Sequence, residues 1–505
     1  MPESTRYLLA VSRPRAVLSI DEGTTGVTCL VVAEDGRVLA RAYREITQHF
    51  PQPGWVEHDA EEIFQRTVDA AREALAGSDA NVEALGITNQ RETVVVWDRA
   101  TGRPLHRAIV WQDRRTAKRC AALAGDADAI RKRTGLVTDP YFSATKVEWL
   151  LHEAGLLAKH GAAALAIGTI DSWLISRLTD GRVHATDHTN ASRTMLYDID
   201  AKAWSDDLCT LFRVPRETLP EVRASSGDFG VATAAHLGRD IPIRGVAGDQ
   251  QAALFGQGCW DAGLAKNTYG TGAFLLLNAG ALRPRAGEGL LTTIACGPRG
   301  EPVYALEASI FIAGAAVQWL RDGLGIIANA AETEALARSL ATNDGVYFVP
   351  ALVGLGAPWW EPNARGTVVG LTRGTTHAHL ARAALEAMAF STADVIDAMV
   401  QGTGHSFDTL RVDGGAAANS WLLQFQSDVI GVPVERPSNI ETTALGAAGL
   451  AGIAAGVWKD AQGFIAAQRF TSFRPGGASP GVREQRKDWS RAVKTALYWA
   501  RGHDT

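Results

Sequence analysis

The feature that most restricts this chain is a local grammar that occurs twice. From Ala16 it reads AVLSID, EGTTG, VTCLVV, AEDGR and VLARAYREI, three β-rich runs split by two glycine-bearing turns, which predicts an antiparallel three-stranded meander. Asp59 and Glu62 have the spacing of a capping box, and Phe64, Val68, Ala71 and Leu75 recur at helical spacing, so a helix is expected over about 60–76. NVEALGITNQ then reads as a strand covered by helices on both faces. After residue 257 the pattern returns. AGLAKNTYGTGAFLLLNAG and GLLTTIACGPRGEPVYALEA are strand-turn-strand runs, AGAAVQWLRDGL suits a helix, and LRVDGG suits a strand. The likeness is of pattern and not of residue identity.

At 505 residues, the chain exceeds what one core organises, which leaves room for two α/β halves and a cleft. The expected division is an N-terminal extension at 1–15, a first domain at 16–257 and a second at 258–505. Fifty Lys and Arg against 55 Asp and Glu give a net charge of -5, no basis for a basic nucleic-acid surface. Five scattered cysteines without a CxxC pair encode neither a disulfide framework nor a zinc ribbon, and a reducing, cytoplasmic setting fits them. Ala444–Trp458 is the longest charge-free apolar stretch near the C-terminus, too short and too rich in Gly and Ala for a membrane span, and the leader has no signal-type apolar block.

Several familiar motifs are excluded. No Gly-Lys dipeptide exists to build a P-loop, and no GxGxxG follows a strand. Asp228-Phe229-Gly230 matches a protein-kinase triplet by chance, since no HRD precedes it. His377 and His379 are expected to be exposed caps at a helix start, not metal ligands. Three Gly-rich turns remain. In Asp21-Glu22-Gly23-Thr24-Thr25, Gly23 would let backbone N–H groups face an anion, the threonines add hydroxyls, and Asp21 could hold a hydrated metal. Tyr269-Gly270-Thr271-Gly272 is a similar tip, so two hairpins could clamp a polyphosphate, and Asp413-Gly414-Gly415 with Asn419 suits close approach of a nucleoside.

These blocks, with GITNQRETVVVWDRATGRPLHRAIVWQDRRT, YFSATKVEWLLHE, GDQQAALFGQ and GTVVGLTRGTTHAHLARAALE, resemble the FGGY carbohydrate kinase family over about residues 17–458, and within it the branch that phosphorylates glycerol. The resemblance implies an α/β, actin-like ATPase fold of two ribonuclease-H-like domains with a central cleft. It implies transfer of the γ-phosphoryl group of ATP, with Mg2+, to glycerol, giving sn-glycerol 3-phosphate in the first step of glycerol catabolism. A homo-oligomer, dimer or tetramer, is the expected assembly. Asp249 matches the catalytic base, needed because a primary alcohol is a poor nucleophile. Arg91, Glu92, Tyr141 and Gln250 match polar contacts to the polyol, and Trp111 and Phe274 match the rings that cover its carbons. Thr24, Thr25, Thr271, Gly314, Gln318, Gly415 and Asn419 match the ATP contacts, and Asp21 matches the magnesium-associated carboxylate.

The chain also departs from its relatives. They usually read DQGTTSSR, whereas Glu22, Gly26 and Thr28 here replace Gln, Ser and Arg. A phosphate-facing cation is lost, which implies a weaker hold on ATP or another cation in its place. Ala308 stands where glycine is common. Arg239 in AHLGRDIPIRG is displaced from the usual effector loop, and Ala235 takes the place of a histidine phosphorylated in some relatives, so neither control is expected. Two other readings stay open from the residues: a sugar kinase, because GV follows DEGTT, and an actin-like nucleotide switch without an acceptor.

Overall fold

The computed structural model describes residues 13–287, 289–476 and 480–501. Most of the expected N-terminal extension, residues 1–12, lies outside the described residues, and Arg15 already belongs to the first strand. The meander forms as Arg15–Glu22 (β1), Gly26–Ala33 (β2) and Val38–Glu45 (β3). Ala60–Ala76 (α1) starts where the Asp59 carboxylate accepts from the backbone N–H of Glu61 and Glu62. The reciprocal half of the expected capping box is replaced by another contact, because the Glu62 carboxylate accepts from Thr47 Oγ1 at 3.0 Å.

Asn81–Asn89 (β4) runs parallel to β1, Ser143–His152 (α2) carries the YFSATK block, and Val231–Ala232 (β5) leads into Ile241–Gly248 (β6) and Asp249–Gly256 (α3). Strand order is β3-β2-β1-β4-β6-β5, with β4 parallel to both β1 and β6. The Asp228-Phe229-Gly230 triplet is the turn before β5, its phenyl ring fully buried.

The second half repeats this plan. Ala265–Tyr269 (β7), Ala273–Gly280 (β8), Leu291–Cys296 (β9) and Pro302–Ile310 (β10) are followed by Gly314–Asp322 (α4) and His377–Thr403 (α5). Then come Leu410–Asp413 (β11), Ser420–Ile430 (α6), Val434–Pro437 (β12), Thr442–Ala454 (α7), Phe470–Phe473 (β13) and Pro480–Arg501 (α8). The order β9-β10-β8-β7-β11-β12-β13 is that of the first sheet with β9 added outside. In each half a meander's first strand pairs with a parallel strand, then another, then an antiparallel edge. The duplicated grammar is thus a duplicated topology.

α1 and α7 cover opposite faces of the first sheet. Ala16, Leu18 and Ile20 pack with α1 residues, while Val17 packs with Ala444, Ala448 and Ala451. The α7 sequence TTALGAAGLAGIA is apolar on all sides, as a helix buried on all sides must be, and it is buried from Ala444 to Gly452. Among the described residues no helix is long and apolar enough to cross a membrane. His377 is exposed, but His379 is buried, contrary to expectation. Its Nδ1 accepts from the Thr376 N–H at 3.1 Å and its Nε2 lies 3.2 Å from Asp344, so the cap is folded under the helix start.

Candidate functional site

Three parallel strands of the first sheet end side by side, and their carboxyl ends carry the predicted residues. Asp21 pairs with Thr88, and Asn89 pairs with both Glu22 and Gly248, which brings Asp21, the Gln90–Thr93 turn and Asp249 to one edge. Open α/β sheets bind ligands at such ends. Glu92 holds the turn in the left-handed region, φ 61°, a strained state for a side-chain-bearing residue that persists only when its surroundings fix it. Ser143 at the start of α2 donates to its carbonyl at 3.1 Å.

Arg91, 3% exposed, is the hub. Its Nε lies 3.2 Å from Asp249 Oδ1, its Nη1 lies 2.6 Å from Glu307 Oε2, and its Nη2 donates to the Tyr141 hydroxyl at 3.4 Å. Asp249 opens α3, where the helix dipole favours an anion, and its Oδ1 also accepts from the Gln250 N–H at 2.7 Å. Arg193 Nε donates to Glu92 at 2.7 Å and its Nη2 to Glu307 at 2.9 Å. Burial would raise the Glu307 carboxyl, but Arg193 and Arg91 overcome it and bring it down to about 2. For Asp21, burial first and then the charges of Asp249 and Glu441 push the carboxyl up to about 8.

The aromatic residues sit around this hub. The Trp111 indole N–H donates to Thr24 Oγ1 at 2.9 Å, and its ring meets Tyr141 edge-on at 5.6 Å. Trp111 therefore joins the predicted polyol wall to the predicted phosphate loop instead of filling a core. Phe274 on β8 pairs in register with Thr268 and Ser309, which places it on the same sheet face as Lys266 and Glu307. Lys266 Nζ donates to Gln250 Oε1 and, at 2.7 Å, to Thr268.

The nucleotide set divides in two. Thr271, Gly314, Gln318, Gly415 and Asn419 line one cavity of about 570 Å³ in the second half, together with Tyr269, Arg321 and Thr333. Its hairpin tip is fixed to α4, because the N–H groups of Ala313 and Gly314 donate to the carbonyls of Thr271 and Gly270. Gly414, φ 84°, lets the turn after β11 approach the base of the same hairpin, since a Cβ there would sit 2.3 Å from the Tyr269 carbonyl oxygen. Asp21 on β1, and Thr24 and Thr25 in the β1–β2 turn, lie outside that cavity.

Position 28 is directly opposite Asp21 in the β1–β2 register. On the same face of β3 the available cation is Arg41, paired with Glu441 at 3.0 Å. Ala308 points into the second core, away from the face that carries Glu307. Among the described residues no group of three or more His, Cys, Asp or Glu could hold a metal ion.

Residue reasoning missed Glu307, Arg193, Lys266 and Lys146. Lys146 is fully buried and donates to the carbonyls of Tyr141 at 2.6 Å and Phe142 at 3.1 Å, and burial lowers its ammonium to about 8. For Glu307, a lone charge inside the apolar run YALEASI was the available signal.

A model of the N-terminal domain of the FGGY family of carbohydrate kinases matches residues 16–256, and one of its C-terminal domain matches residues 265–455. The chain is 53% identical over 492 residues to the glycerol kinase of Rhodopirellula baltica, covering 96% of this chain and 91% of that protein. It is 54% identical over 492 residues to the glycerol kinase of Geobacter sp., covering 96% and 99%. The crystal structure of Plasmodium falciparum glycerol kinase with ADP is similar at a TM-score of 0.91 and 35% identity, over 96% of this chain and 99% of that one.

Proposed function

Because this chain belongs to the FGGY family of carbohydrate kinases, with the actin-like fold of two ribonuclease-H-like domains, we propose that it transfers the γ-phosphoryl group of ATP to glycerol. The product is sn-glycerol 3-phosphate. The observation that carries the site reading is the Arg91 guanidinium, buried and split between Asp249 of the first sheet's edge and Glu307 of the second sheet.

In this reading Arg91 donates to adjacent hydroxyls of the triol and Glu92 accepts from them, a pairing suited to groups that both give and take. Tyr141 and Gln250 add polar contacts. Trp111 and Phe274 cover the C–H surface and leave one way for the terminal hydroxyl to point. Asp249, at the α3 N-terminus, takes that hydroxyl's proton as the bond to phosphorus forms. The cavity lined by Thr271, Gly314, Gln318, Gly415 and Asn419 holds the nucleoside, while Thr24 and Thr25 face the phosphates.

Mg2+ favours one or two carboxylates plus substrate phosphates over a protein cage, so Asp21 fits it without a cluster of three or more protein ligands, which the described residues do not form. When bound, the ion would neutralise charge on the transferring phosphates. Asp21, crowded by Asp249 and Glu441, is the residue that would hold it. The working division remains a polyol and phosphate domain at 16–257 and a nucleotide domain at 258–505. A cytoplasmic homo-oligomer, dimer or tetramer, completes the reading, with light scattering on purified protein as the check on assembly.

The test is ADP release measured with glycerol, dihydroxyacetone, erythritol and xylulose. Glycerol should be preferred, and Asp249→Asn should lower glycerol-dependent turnover by about two to four orders of magnitude while ADP still binds. Preference for a five-carbon sugar, or unchanged turnover in the variant, would overturn the proposal.

A further inference from the structure

Behind the Arg91–Glu92 pair lies a second pair of opposite charges. Arg193 is fully buried and Glu307 is 1% exposed. Arg193 binds Glu92 with its Nε and Glu307 with its Nη2, and Glu307 takes both Nη1 and Nη2 of Arg91, at 2.6 and 3.2 Å. The remaining edge, Arg91 Nε to Glu92 Oε1, is 3.9 Å. Four side chains thus close a ring of alternating charge with no net charge.

Stability alone does not account for such a ring. Removing four ionised groups from water costs more than their attraction reliably returns, and apolar residues of similar volume often serve a core as well or better. What the ring does supply is direction. Each guanidinium is planar and forked, so a carboxylate that takes two of its N–H groups fixes the plane of the whole group. Glu307 fixes Arg91 in this way. Arg193 bridges Glu307 and Glu92 with one N–H to each, and so ties the Glu92 carboxylate to Glu307.

The source of each member matters. Arg91, Glu92 and Arg193 come from the first half of the chain, whereas Glu307 comes from β10 of the second sheet. Leu276 on β8 pairs with Glu307 and Phe274 with Ser309, so the carboxylate and the phenyl ring project from one face, two residues apart along the ladder. A single strand pair of the second half therefore brings both the apolar wall and the carboxylate that orients the donor and acceptor of the first half.

We propose that Glu307 is a positioning residue: through Arg91 and Arg193 it sets the polyol-binding donor and acceptor at their working angles, and does so only while the second sheet is docked against the first. Glycerol recognition is thereby coupled to apposition of the two halves. The proposal rests on the reading that Arg91 and Glu92 hold the polyol.

The parent enzyme is assayed first. If it fails to phosphorylate glycerol, the substrate reading falls, and the polyol it does accept becomes the variable substrate for the variants. Glu307→Gln keeps the shape and removes the charge. It should raise the KM for glycerol at least about tenfold and lower kcat, while the affinity for ADP, measured by titration calorimetry, stays within about twofold. Glu307→Asp, with the charge retained on a shorter arm, should fall between the parent and Glu307→Gln. Arg193→Lys should also raise the glycerol KM without loosening ADP. A glycerol KM within about twofold of the parent in Glu307→Gln would overturn the proposal. So would an equal loss of ADP and glycerol affinity, the mark of general loosening. Should Glu307→Gln fail to fold, Glu307→Asp and Arg193→Lys decide by the same split.

Discussion

Glu22 shows what one exchanged side chain does to a buried site. The Glu22 carboxyl is fully buried, with both oxygens 3.2 Å from the Gln90 amide nitrogen. Burial raises its pKa well above the ordinary value, the Gln90 contact pulls it back, and Asp21 and Asp249 add to the rise. A carboxyl whose folded pKa lies above its unfolded one contributes stability that is fully present below about pH 4.3 and is lost as pH climbs through the folded value. Gln mimics the protonated acid and does not titrate. Glu22→Gln should therefore match the parent near pH 4 and melt progressively higher than it toward pH 9, with about 1 °C expected for each kcal/mol of charge-burial cost relieved in a chain of this length. Parallel melting curves across that range, followed by fluorimetry, would show that position 22 is not the titrating group.

At the scale of an element, α7 is constrained on all sides. A Cβ at Gly446 would lie 1.8 Å from the Ala252 carbonyl oxygen of α3, and neither backbone can yield. On an exposed helix, Gly→Ala gains about 1 kcal/mol. Here Gly446→Ala should instead cost about 1–3 kcal/mol by overpacking, read as a lower denaturant midpoint, and a raised midpoint would refute the close-contact account. The sequence shows α7 only as a stretch too poor in large apolar residues to cross a bilayer. Its partner surfaces are distant in the chain, so no local pattern reveals them. The β1–β3 meander and α1 were legible because turn glycines, alternation and the Asp59 cap are local signals. The same limit governs the site. The Thr24 and Thr271 loops and the Arg91–Glu92 turn were visible as contiguous motifs, whereas Glu307 and Arg193 become functional only through pairing between segments that the sequence leaves far apart.

For the whole molecule, the sharing of α7 means the halves are not interchangeable parts. The face of the first sheet bearing Val17 is completed by Ala444, Ala448 and Ala451, and Trp458 donates its indole N–H to the Glu34 carbonyl at 2.8 Å. A fragment ending at residue 257 would expose this apolar face, so it should bind a hydrophobic dye and aggregate, whereas the full chain should not. A soluble, cooperatively melting fragment would count against this. The same feature reaches into synthesis. Roughly 200 residues separate α3 from the end of α7, and at 5–20 residues per second the emerging sheet waits about 10–40 s on the ribosome for its cover. During that interval the nascent chain is a natural client for holdase chaperones, and synonymous codons that slow translation beyond residue 257 would lengthen its exposure.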